Sequence, residues 1–287
     1  MVALKEKKTM SLRTPVTDLF GTEFPIVAGG LQFLADAEYV AACAKAGIIG
    51  FMTSNHFQDE KSLRNEICKT RELSEGKPFG VNIAMLPKST EHEKAQAVGV
   101  DMVTIVGWEC GGHPGPNAIG SIVNAALAEE RLSIPYLIGG GIGHGSQIAA
   151  ALSMGASGVL LGTRFLASTE IGAHEGYKEA LLKASENDTT ISLWSVRNNA
   201  RTLANETTWI VAELERANPE AGIAQLMPYV AGQILIDTYK TGDTSLGMVY
   251  AGQALGFVRE SVPVAETVKL LIQQFNTARE RLCSLSY

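Results

Sequence analysis

Short apolar runs alternate along the chain with longer segments whose apolar residues recur every three to four positions. The runs at 24–27, 48–53, 79–85, 102–106, 135–138 and 158–161 have the length and branched-residue content of strands and predict six of them. The segments at 36–46, 59–73, 91–98, 118–130 and 146–154 predict helices. In the first of these, Ala37, Val40, Ala41 and Ala44 fall on one face, and Gly47 stops the helix. Strands that are apolar throughout, alternating with helices, predict a parallel sheet covered by helices. Beyond Glu170 the strand pattern fades. From His174 onward the chain reads mostly helical, with breaks near Asp188, Pro219, Gly242 and Pro263. The division implied is a flexible tail over 1–13, a β/α core over 14–170, and a mostly helical substrate or lid region over 171–287 packing on that core.

Composition narrows the class. Of 287 residues, 46% are hydrophobic and 19% charged, which supports a sizeable core and excludes a disordered chain. The net charge of −6, with no basic stripe interleaved with aromatics, argues against nucleic acid as a partner. The apolar runs are of strand length, too short to cross a membrane. The basic N-terminus lacks the apolar stretch of a secretory signal. The four cysteines, Cys43, Cys68, Cys110 and Cys283, form no CxxC pair. They suit a reducing compartment, so the expected location is cytoplasmic.

Candidate chemistry gathers where strands end. Two glycine-rich ends follow late, consecutive strands: Ile138-Gly139-Gly140-Gly141-Ile142-Gly143, and Leu161-Gly162-Thr163-Arg164-Phe165. Glycine lets backbone N–H groups approach a phosphate, and a following helix N-terminus adds favourable partial charge. Either loop alone also reads as a tight turn. The pair together reads as a phosphate cradle, with Thr163 adding a hydroxyl donor. After the fourth strand comes Trp108-Glu109-Cys110-Gly111-Gly112-His113-Pro114-Gly115. This places His113 on a constrained loop at a strand's carboxyl end, where imidazole serves as a general base near neutral pH. Glu109 is read either as a ligand hydrogen-bonder or as a solvated carboxylate. Cys110 is read as a buried, inert thiol. Asn82 interrupts an apolar strand and must be satisfied either by a ligand or internally. Gln32, and Ser54 with Asn55, follow the first two strands, where they either face the same pocket or simply form loops. His56, His92, His144 and His174 lack metal-ligand spacing and are assigned surface or helix-cap roles, and no metal site is expected.

These residues resemble a family. The stretches Pro25-Ile26-Val27-Ala28-Gly29-Gly30, Pro78-Phe79-Gly80-Val81-Asn82-Ile83, the segment 107–115, Gly139-Gly140-Gly141-Ile142 and the segment 155–165 are similar to those of the nitronate monooxygenase (2-nitropropane dioxygenase-like) flavoproteins. Arg197-Asn198 and the segment 251–256 add to the likeness. Relatives in that group include FMN-dependent NADH:quinone reductases and a flavin enoyl reductase. The resemblance implies an FMN-binding TIM-type (β/α) barrel with a helical C-terminal subdomain. It implies that Gly140, Gly141, Gly162 and Thr163 hold the FMN phosphate, and that the ring lies near Ala28, Gly29 and Asn82. Gly30, Gly112 and Gly139 complete the expected cofactor-binding set, and Gln32 and Gln253 are set down as substrate contacts. His113 matches the family histidine that removes the proton next to a nitro group. FMN would carry the redox step, with NAD(P)H as a reductant in some relatives.

The sequence departs from that pattern in one place. A family barrel has eight strands, and this chain offers six. Between Asn82 and Asp101 only one short helix is predicted, where the family has two further β/α units, a difference of roughly fifty residues. The lost part includes a strand end that in relatives places a lysine near the flavin. Six strands either close a smaller barrel or leave unpaired edges, and open edges invite a homodimer. Three readings follow. The first is an FMN oxidoreductase acting on alkyl nitronates with O₂. The second is an NAD(P)H-dependent quinone or enoyl reductase of the same family. The third is an impaired remnant that still binds FMN or another phosphate ligand.

Overall fold

The structure, a computed structural model, describes residues 12–54, 57, 59–83 and 99–285. Along the chain run α1 (Pro15–Phe20), β1 (Ile26–Ala28), α2 (Ala37–Lys45), β2 (Ile49–Thr53), α3 (Glu60–Leu73) and β3 (Gly80–Asn82). There follow β4 (Val103–Val106), α4 (Ser121–Arg131), β5 (Tyr136–Gly139), α5 (Gly145–Ser153) and β6 (Gly158–Leu161). A 3-10 turn, Thr163–Phe165, leads into α6 (Glu175–Lys183), the strands β7 (Thr189–Ser192) and β8 (Ala200–Leu203), and the helices α7 (Glu206–Ala217), α8 (Ile223–Val230) and α9 (Gly232–Thr241). A second 3-10 turn, Gln253–Phe257, precedes α10 (Val264–Cys283).

The six predicted strands form one parallel sheet in the order β3-β2-β1-β6-β5-β4. This is a TIM-type barrel wall with a seam, since β3 and β4 at the two ends do not pair among the described residues. The predicted helix at 91–98, and the end of the strand predicted over 79–85, lie outside the described residues. Strands β1, β2, β5 and β6 are largely buried on both faces, as unbroken apolar strands require. Ile26, Ala28, Met52, Ile138, Val159 and Leu161 turn to the main core, and Val27, Ile49 and Leu137 to a smaller cluster with Val16 of α1. Fully burying each such aliphatic side chain stabilises the fold by roughly 1.5–3 kcal/mol.

The region beyond 170 is not wholly helical. Thr189–Ser192 and Ala200–Leu203 pair antiparallel, with Ile191 opposite Arg201. The stripe of α10 formed by Val264, Val268, Leu271 and Phe275 is buried in the main core, where the helix lies against α5 and α2. It therefore supplies the outer helix due after β6, and the intervening chain is an excursion from the carboxyl edge of the sheet.

Candidate functional site

Because the six strands are parallel, the loops leaving them gather at one carboxyl edge. β1 ends at the buried Ala28, and the Gly29 N–H donates to the Leu161 carbonyl at 2.9 Å, tying the ends of β1 and β6 together. A Cβ on Gly30 would lie 2.8 Å from Thr53 Oγ1 and 3.2 Å from Asn82 Nδ2. The ends of β1, β2 and β3 thus converge, with Asn82 exposed at the tip. Thr53 escapes sequence reading, although a hydroxyl closing an apolar strand is a usable signal.

The two glycine loops lie on the neighbouring strands. Gly140 and Gly141 adopt φ +94° and +70°, a conformation that favours glycine. A Cβ on Gly140 would also meet the Gly107 backbone at 2.7 Å, and one on Gly141 the Glu109 Cβ at 2.8 Å. Gly139 is still within the sheet, its carbonyl accepting from Gly107 N–H at 2.9 Å. Gly162 differs, because a Cβ there would meet only the tip of Leu31, at 3.7 Å. Thr163 Oγ1 accepts from Gly252 N–H at 2.9 Å and keeps its own proton to donate. Next to it, Arg164 is buried and its Nε has no partner. Desolvation holds its guanidinium below its ordinary pKa, partly countered by Glu260. Open space at Gly162 and a hydroxyl proton at Thr163 left to donate fit a phosphate group.

His113 lies on the loop after β4. Its backbone neighbour Gly112 (φ +84°) donates to the Arg201 carbonyl at 3.0 Å and accepts from Arg201 N–H at 2.7 Å. Gly112 therefore spends its backbone polar groups on β8 and offers a ligand only the open space above its Cα. The His113 side chain is open to solvent on one side and packs on the other against Tyr250, with ring centroids 5.4 Å apart. Partial desolvation lowers its pKa from 6.5, so the neutral, proton-accepting imidazole prevails at neutral pH. Cys110 is buried, and desolvation pushes its thiol up to about 11 despite the nearby Arg201. Glu109 takes neither role expected of it. Its carboxylate accepts from Ser121 N–H at 3.0 and 3.1 Å and from Ser121 Oγ at 3.0 Å, capping α4, whose own N-cap residue is the side-chain-less Gly120.

The remaining candidates spread out. Gln32 is exposed in the turn after β1. Gln253 donates its N–H to the Glu109 carbonyl at 3.0 Å and lines a cavity of about 530 Å³ between α4 and α5, together with Gly140, Gly141, Phe257 and Arg281. Neither His113 nor Gly162 lines that cavity. His144 and His174 cap α5 and α6, each accepting a backbone N–H at its Nδ1. Asn55, His56 and His92 lie outside the described residues.

The class defined here is an α/β barrel enzyme with two glycine loops and a histidine loop at the carboxyl edge of its sheet. The Nitronate monooxygenase family profile matches residues 13–97 and 88–274, breaking where the sequence predicts the missing units. A nitronate monooxygenase of Paraburkholderia phytofirmans is 30% identical over 98% of this chain and 76% of its own length. A (3aS,4S,5R,7aS)-5-hydroxy-7a-methyl-1-oxo-octahydro-1H-indene-4-carboxyl-CoA dehydrogenase of Rhodococcus jostii is 32% identical, and the chain spans only 63% of its length, using 63% of this chain. The solved structure of FabK from Thermotoga maritima superposes with a TM-score of 0.86 at 28% identity, covering 95% of this chain and 99% of that one. The chain belongs to the nitronate monooxygenase family of FMN-dependent oxidoreductases. Among the described residues no helix is long and apolar enough to cross a membrane.

Proposed function

We propose that this chain binds FMN and oxidises alkyl nitronates with O₂. The observation that carries the reading is the convergence, at one sheet edge, of two glycine loops with unspent donors and a histidine held neutral. Gly140, Gly141, Gly162 and Thr163 would hold the phosphate. Ala28, Gly29, Gly30 and Asn82 would border the ring, with Gly112 and Gly139 shaping the adjoining backbone. The cofactor supplies the electron acceptor that protein side chains lack. When the neutral nitroalkane is the substrate, His113 accepts the proton from the carbon beside the nitro group and so forms the nitronate that is oxidised; a nitronate supplied as such has already lost that proton. Gln32 and Gln253 are the proposed substrate contacts. The partners on this reading are a small-molecule substrate and a second copy of the chain, paired through the open edges of β3 and β4, in the cytoplasm.

The visible absorption spectrum of purified protein, desalted before and after addition of FMN, tests the cofactor. Retained flavin bands are expected; a colourless protein that cannot be reconstituted overturns the reading. Steady-state rates then separate the chemistries. Turnover of an alkyl nitronate with O₂ supports the proposal. Turnover only of NADH plus a quinone, or only of a CoA thioester like that in the name of the Rhodococcus relative, moves the chain to another branch of the family.

A further inference from the structure

His113 sits on a loop that does little to hold itself. Glycines flank it at 111, 112 and 115, and its side chain is exposed. Fixing each such backbone residue costs conformational entropy, so the geometry must be imposed from outside. The structure shows what imposes it. Two consecutive residues of β8 reach the loop by separate routes.

The first is Arg201. Its backbone exchanges both hydrogen bonds with Gly112, at 2.7 and 3.0 Å, extending the β7–β8 hairpin onto the residue before His113. Its side chain is buried, at 6% exposure, and donates from Nε to the Trp108 carbonyl at 3.2 Å and from Nη1 to Thr189 Oγ1 at 3.0 Å. One guanidinium thus spans from β7 to the start of the histidine loop. Among the described residues no carboxylate hydrogen-bonds it, and burying a charge with only neutral hydrogen-bond partners is costly. The second residue is Thr202, which forms a bridge with Tyr250, while the next residue, Leu203, donates its N–H to Val249 at 2.8 Å. This seats the Tyr250 ring against the imidazole, 5.4 Å between centroids and 46° between planes.

We propose that β8 is the positioning element of the proton-transfer loop, with Arg201 fixing the backbone beside His113 and Tyr250 fixing the imidazole. The proposal rests on the reading of His113 as the base. The titratable groups around His113 are Glu109 and Cys110 on its own loop, Arg201 on β8, and Tyr250 with Tyr239 of α9 behind it. Glu109 is engaged by Ser121, and Cys110 stays protonated. The surroundings therefore act on the imidazole by excluding water rather than by charge.

The test is the titration of His113 by NMR, its signals assigned by their loss in His113→Gln, alongside the pH profile of kcat/KM for a neutral nitroalkane. Tyr250→Ala and Arg201→Met are expected to move the His113 pKa up toward 6.5 and to lower kcat on the order of 10²-fold, as a misplaced reacting group does. Tyr250→Phe keeps the ring and is expected to titrate and turn over like the parent. Arg201→Lys keeps the charge but not the fork that reaches two acceptors, and is expected to behave like Arg201→Met. Flavin content and circular dichroism establish that each variant is folded. If Arg201→Met does not fold, Tyr250→Ala and Arg201→Lys decide. Folded variants whose His113 titrates and turns over as in the parent overturn the proposal. Should His113→Gln prove fully active, the general-base reading falls, while the NMR titration still decides the positioning.

Discussion

Removing the His113 imidazole takes a proton acceptor from an exposed position without opening a core. His113→Ala should therefore lower turnover of a neutral nitroalkane by roughly 10²–10⁴-fold with flavin content nearly unchanged, and spare turnover of the preformed nitronate. A variant with parental rates would exclude it as the base. The direction of the pKa shift fixes the pH dependence. A lowered pKa keeps the neutral base populated below 6.5, so kcat/KM should stay level from neutral pH down and fall only beneath that value. Gly162 makes a different demand. A side chain there meets only Leu31 at 3.7 Å, so Gly162→Val should leave the thermal midpoint nearly unchanged while reducing FMN occupancy by blocking close backbone approach. Full occupancy would show that the phosphate lies elsewhere. These two positions are legible in sequence because each is a local pattern at a strand end. Thr53, Arg201 and Tyr250 are not, because their meaning comes from contacts with residues distant in sequence, such as the 93-residue separation between Arg201 and Trp108.

At the scale of elements, the sequence marks the barrel strands because β1, β2, β5 and β6 are largely buried on both faces and so run apolar without interruption, while β3 and β4, less buried, keep the same apolar run. The β7–β8 hairpin leaves no such mark. Thr189, Thr190, Arg201 and Thr202 break any alternation, and of these side chains that of Arg201 reaches the histidine loop. The long final helix is visible, but its allegiance is not. Only packing shows that α10 fills the place of the helix after β6, against α5 and α2. That placement makes it structural. Leu271 is fully buried on the stripe facing them, so Leu271→Ala should destabilise the chain by about 2–5 kcal/mol through lost burial and the cavity left behind. Urea unfolding followed by circular dichroism measures this. A loss under ~1 kcal/mol would mean that α10 is a peripheral attachment rather than part of the barrel layer.

For the molecule as a whole, the decisive feature is the seam between β3 and β4. Val103 N–H donates to Pro135 and Gly107 N–H to Gly139, so alternate amides of β4 face β5. The pleat then turns the N–H groups of Thr104 and Val106 the other way, toward the seam, where no described residue accepts them. An edge left without partners among the described residues is a template for a second chain. Amide hydrogen exchange reads it directly. In dilute protein, Thr104 and Val106 should exchange much faster than Val103 and Ile105, although all four share one short strand. As concentration rises, protection should appear at Thr104 and Val106 first, in step with a dimer seen by light scattering. Uniform protection of the strand in a dilute monomer would mean that the barrel closes on itself. The open edge would then be no route to a second copy, and the site at its rim would belong to a single chain.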